Sequence, residues 1–129
     1  MKYRAGYKYQ LYEDESCQVD IHGFNIDTQF IKLTPDGVLT AKKGYAWDGA
    51  SGPTIDDKTN MRAALIHDAG YQLMSEGLIP LSYRSYIDEL FYDLLLKDGM
   101  PKIRAIIWYN AVRRFASDSA LPENDLSIS

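Results

Sequence analysis

The chain has 129 residues, enough for one domain with a true core, and its 46% hydrophobic and 25% charged content is that of an ordinary globular protein. A formal net charge of −4 argues against a general nucleic-acid binder, which needs a basic surface, and a single cysteine, Cys17, excludes an internal disulfide and a cysteine-cluster zinc site. No apolar run approaches the ~20 residues of a membrane span, and the charged start "MKYRAGYKYQ" lacks an apolar signal core, so the reading is of a soluble protein.

The first 48 residues are β-rich. In "YKYQLYE" (7–13), Tyr7, Tyr9 and Leu11 alternate with Lys8, Gln10 and Tyr12, the period of a strand. "DES" supplies a turn and "CQVDI" (17–21) a returning strand. "FIKL" (30–33) and "VLTA" (38–41) flank "TPDG", where Pro35 suits the second turn position and Gly37 closes the turn, so a hairpin is predicted. "YAWD" (45–48) adds a last strand, and "GASGP" follows it. Four or five short antiparallel strands are expected.

Residues 59–117 read as three helices. Thr59 is the expected N-cap of "NMRAALIHDAGYQLMSEG", which ends at Gly77. Ser82 caps "YRSYIDELFYDLLLKDG", whose Ile87, Leu90, Phe91, Leu94 and Leu95 form an apolar stripe and whose end is Gly99. Pro101 opens "PKIRAIIWYNAVRRFA", with Ile103, Ile106, Ile107 and Val112 expected on its buried side. The remainder, 118–129, is a polar tail. The predicted class is α+β: a single domain over 1–129 with a small antiparallel sheet in the N-terminal half, packed by three C-terminal helices.

Several polar residues stand where burial would be costly. His67 lies mid-helix in "AALIHDAGY" with Asp68 beside it, and Ala63, His67, Tyr71 and Met74 share one face. Asp88 borders the apolar stripe of the second helix, so its carboxylate needs a partner: Arg84 at four residues' spacing, His67, or a metal. Arg113 in the third helix can pair with Asp48, Asp68 or Asp88. His22, in the turn sequence "DIHGF", reads as structural.

Four readings of this set remain open. Asp48, His67 and Asp88 form a candidate site for a divalent metal, with Asp68 a further candidate for catalysis, and such a metal would lower the pKa of a bound water. Two histidines are fewer than an HD-type phosphohydrolase needs. Ser51 as nucleophile with His67 as base lacks the second glycine of a nucleophile elbow, because position 53 is Pro53. A ligand nest at Gly49 and Ser51, completed by Arg113, would hold a small anion. Finally, the cluster can be a structural network that pins the loop after Asp48.

The strings "GYAWDGASGPT", "AALIHDAGYQLM", "YIDELFYDLLLKDGM" and "RAIIWYNAVRRFA", in this order, resemble the phage and prophage domain-of-unknown-function family 1353 over roughly residues 30–117. In that pattern an Asp-Gly-Ala-Ser-x-Pro-like loop is followed by helices carrying His-Asp-x-x-Tyr, an Asp before an aromatic, and a late Arg. The resemblance implies an accessory protein of unestablished activity, in the host cytoplasm or associated with the virion. Combined with the residues, the expectation is an Asp/His pocket suited to metal-assisted hydrolysis. The alternatives are a binding protein that engages a host or virion protein, or a second copy, through its Tyr-rich sheet, and a sponge for a small anionic ligand.

Overall fold

The computed structural model describes residues 1–4, 9–47 and 58–115. The chain divides into two compact units, Met1–Gly49 and Ala50–Ser129. The strands lie in the first and the α-helices in the second, which makes the fold α+β with the helices C-terminal.

The first unit holds two small antiparallel sheets rather than one. Strands β1 (Tyr3–Arg4), β2 (Tyr9–Leu11) and β7 (Ala46–Trp47) form a sheet in the order β1-β2-β7. Strands β3 (Glu15–Gln18), β4 (Ile26–Asp27), β5 (Ile31–Leu33) and β6 (Val38–Ala41) form the other, in the order β3-β6-β5-β4. The predicted pairing of the first strand with its immediate successor does not form. β2 pairs with β1 and β7, and β3, which includes the supposed turn residues Glu15 and Ser16, pairs with β6. The Leu11 N–H donates to the Tyr45 carbonyl at 2.9 Å, and the Lys43 N–H donates to the Asp14 carboxylate at 2.7 Å. These bonds satisfy the backbone at the turn through the segment around Lys43–Tyr45, a partner distant in sequence that period-two patterning cannot identify.

The hairpin β5–β6 forms as predicted, with Ile31 opposite Ala41 and Leu33 opposite Leu39. All four of these side chains are buried while Lys32 is exposed, the alternation of a half-buried sheet. Thr34 binds the Val38 N–H at 3.0 Å, and Gly37 takes φ +89°. A Cβ at Gly37 would stand 2.4 Å from the Val19 carbonyl oxygen, which is backbone and cannot swing aside. Gly37→Ala is expected to cost about 1–3 kcal/mol in chemical denaturation. A loss below ~0.5 kcal/mol would place the substitution among neutral surface changes and show that the turn relaxes.

The second unit contains α1 (Met61–Ser75), a 3-10 turn (Leu81–Tyr83), α2 (Arg84–Lys97) and α3 (Lys102–Phe115). The first two helices stop where glycine was expected to stop them. The Leu78 N–H returns to the Leu73 carbonyl and the Met100 N–H to the Leu95 carbonyl, each at 2.9 Å, closing both ends at Gly77 and Gly99. The starts differ from expectation. Asn60 rather than Thr59 occupies the cap position of α1, and Ser82 lies in the 3-10 turn before α2. Pro101 immediately precedes α3, and its carbonyl accepts the Ala105 N–H at 2.9 Å.

Packing of α1 on α2 is close at Gly70, where an added Cβ would lie 2.9 Å from Ile87 Cδ1. Arg62, at the start of α1, forks onto the Asp98 carboxylate just past α2, with bonds of 2.8 and 3.1 Å. Buried side chains include Leu65, Ile66, Leu73 and Met74 of α1, Ile87, Phe91, Leu94 and Leu95 of α2, and Ala105, Trp108 and Val112 of α3. Leu90, expected in the core, is half-buried. The expected buried side of α3 is wrong in three positions: Ile103, Ile106 and Ile107 are 78%, 41% and 49% exposed. The helix turns Trp108 inward instead. Its bulky ring, with Ala105 and Val112 one turn to either side, sets the buried face and rotates the isoleucines outward.

Candidate functional site

Asp88 is the centre of the polar cluster. Its position between Ile87 and the apolar stripe of α2 carries its side chain inward, and the residue is fully buried. Every helix of the unit sends it a donor or supports one. From α1, His67 Nε2 lies 2.7 Å from Asp88 Oδ1, and the Tyr71 hydroxyl donates to the same oxygen at 2.6 Å. His67 and Tyr71 are four residues apart, so they sit one above the other, and their rings stack with centroids 4.2 Å apart. From α3, Arg113 Nη1 donates to Asp88 Oδ2 at 2.8 Å. From α2 itself, Arg84 Nε stands 3.9 Å from Oδ2 and donates to the Tyr71 hydroxyl at 3.2 Å. Arg84 also donates to the Arg113 backbone carbonyl at 2.7 Å.

The electrostatics follow from these contacts. Burial alone would push the Asp88 pKa up. The hydrogen bonds from His67, Tyr71 and Arg113 outweigh it and hold the carboxyl below its ordinary value, so it is ionised. Tyr71 is pushed well above the usual phenol range, first by burial and then by its bond to Asp88, which favours the neutral hydroxyl. The bond to Asp88 raises Arg113 further. An ionised carboxylate only accepts hydrogen bonds, so His67 Nε2 carries the proton between them. In the neutral imidazole, Nδ1 is therefore the bare nitrogen. His67 retains a small exposure, 11% of its side chain, while Asp88 has none.

The structure brings together His67, Asp88 and Arg113 of the residues predicted from sequence. Asp68 is exposed and, as the next residue in the helix, lies about 100° around the axis from His67. Asp48, Gly49 and Ser51 lie outside the described residues. Among the described residues no group of three or more His, Cys, Asp or Glu is placed to hold a metal ion. Asp88 is a poor direct ligand, because His67, Tyr71 and Arg113 already engage both its oxygens. Tyr71 was absent from the predicted site, although its four-residue spacing from His67 signalled that the two share a face. Arg84 was foreseen as a partner of Asp88 but not as the donor to Tyr71 and to the backbone of α3.

No helix among the described residues is long and apolar enough to cross a membrane. A family model described as "Protein of unknown function (DUF1353)" matches residues 24–112. No curated protein and no solved structure matches the chain.

Proposed function

We propose, from the premise that the chain belongs to the DUF1353 family, that His67 is its chemically active side chain, a general base for hydrolysis positioned by Asp88. The observation that carries this reading is the 2.7 Å contact between His67 Nε2 and a fully buried, fully partnered carboxylate. That contact fixes the tautomer and leaves Nδ1 to take a proton from water. Asp88 is a positioning residue, and Arg113 and Tyr71 keep it ionised. The same arrangement, a carboxylate behind an imidazole, is the usual support of a metal-bound histidine. A metal-assisted version would use His67 Nδ1 as a ligand and would not use Asp88. The phage or prophage setting and the host-cytoplasmic or virion-associated location belong to this proposal through the resemblance of the four sequence strings.

The test compares wild type with His67→Gln on p-nitrophenyl acetate, p-nitrophenyl phosphate and bis-p-nitrophenyl phosphate, each with added divalent metal and with EDTA. Loss of general-base catalysis is expected to lower turnover of the accepted ester by about 10²-fold or more, with a melting temperature near wild type. Sensitivity to EDTA would select the metal-assisted version. A wild type that is indistinguishable from His67→Gln on all three esters, under both conditions, would overturn the reading.

One observation favours a second reading. Tyr3 in β1 and Tyr12 just past the end of β2 are 37% and 53% exposed, and Tyr3 packs edge-on against Tyr9 and Trp47 with centroids 5.6 and 6.0 Å away. Rigid exposed aromatics suit a protein interface, so the non-enzymatic alternative is binding of a host or virion protein, or of a second copy, through β1 and β2.

A further inference from the structure

The outward face of α3 points to a docking surface distinct from the Asp88 cluster. Ile103, Ile106 and Ile107 lie opposite Ala105, Trp108 and Val112 on the helix and are exposed. Ile106 also forms part of the wall of a cleft of about 450 Å³ between α2 and α3, with Glu89, Tyr92 and Asp93 on one side and Tyr109 and Asn110 on the other. Tyr92 and Tyr109 meet edge to face at 5.8 Å and 70°, a favourable packing of the two rings. Glu89 and Asp93 are exposed at its edge, and neither is paired with a cation among the described residues. The basic residues of α3 sit toward its ends: Lys102 and Arg104 at the start, Arg113 and Arg114 in the last turn. The guanidinium of Arg113 is turned to Asp88.

Two carboxylates with no cation partner among the described residues, beside two packed aromatic rings, make a receptor for an organic cation, whose charge meets the carboxylates and whose face meets the rings. Three isoleucines next to the cleft add apolar contact area that a small cation would leave wet. We propose that this face docks a protein partner through an amphipathic segment, with an Arg or Lys side chain in the Glu89–Asp93 cleft and apolar side chains on Ile103 and Ile107. Charge complementarity selects a basic segment over an acidic one.

The full-length, isotope-labelled protein would be titrated with a short helical peptide of Leu, Ala and Arg, with a counterpart carrying Glu for every Arg, and with free arginine. Amide shifts in α2 and α3 read the binding. The basic peptide is expected to shift residues around Glu89, Asp93 and Ile106, and the acidic one is not. Asp93→Asn and Ile107→Ser are each expected to weaken binding of the basic peptide by about tenfold or more, the scale of an interface hot spot. Both positions are exposed, so both variants should keep the wild-type melting temperature. Equal binding of the two peptides, no shift with either, or binding of free arginine as tight as the basic peptide would overturn the proposal. So would a dimer in sedimentation that Ile107→Ser abolishes, which would assign the face to a second copy of the chain.

Discussion

Asp88→Ala is expected to lose about 3–5 kcal/mol of stability, the usual cost of breaking a buried, hydrogen-bonded charge cluster by removing one partner. The carboxylate accepts from Tyr71 at 2.6 Å, from Arg113 at 2.8 Å and from His67 at 2.7 Å. Without it the Tyr71 hydroxyl is left among buried side chains with Arg84, itself a donor, as its remaining neighbour. Urea denaturation with an unchanged slope would read the loss directly. A value below 1 kcal/mol would show that solvent replaces the carboxylate at no cost. The pH dependence has a fixed sign. The folded-state pKa of Asp88 lies below its unfolded value, so its stabilising contribution is whole above the unfolded value of about 3.9. It is lost as pH falls through the lower folded value, because protonation then favours the unfolded chain. Wild type should therefore lose stability below about pH 4 more steeply than Asp88→Asn.

Phe91→Ala is expected to cost about 3–5 kcal/mol. The ring is 1% exposed, lies on the buried stripe of α2 and stands 5.1 Å from the His67 ring, centroid to centroid. Truncation removes the transfer free energy of the phenyl ring and adds the cost of the cavity it leaves. That is a large part of the 5–15 kcal/mol of a typical domain. Chemical denaturation checks it, and a loss below 1 kcal/mol would mean that α2 presents another face to the core. Because the cavity borders His67, Phe91→Ala should also loosen the imidazole.

What the sequence made legible depends on whether a local signal decides the outcome. The hairpin at Thr34–Gly37 was legible because the turn chemistry is written into four adjacent residues. So were the helix stops at Gly77 and Gly99. The convergence of His67, Asp88 and Arg113 was legible for a different reason: each is polar and sits beside an apolar stripe, and burial forces such groups to find one another. Pairing of β3 with β6 was not legible, since alternation shows that a strand exists but not which strand it meets. Nor was the facing of α3. It carries apolar residues on two sides, and a count of isoleucines outvotes one tryptophan on paper. In the folded chain, the ring of Trp108 is fully buried and the three isoleucines remain outside.

The bond from Arg84 to the Arg113 carbonyl has a consequence for how the helical unit opens. The final turn of a helix ordinarily frays first, because its carbonyls have no partners farther along the chain. Here that turn is held by a guanidinium from α2, and the Arg113 side chain in the same turn grips Asp88. Fraying the end of α3 would therefore take from the buried Asp88 its donor at Oδ2 and release the Arg84 guanidinium in one event. Loosening of the last turn of α3 is thereby coupled to the buried carboxylate of α2, so native-state hydrogen exchange is expected to show the end of α3 protected together with α2 rather than fraying ahead of it.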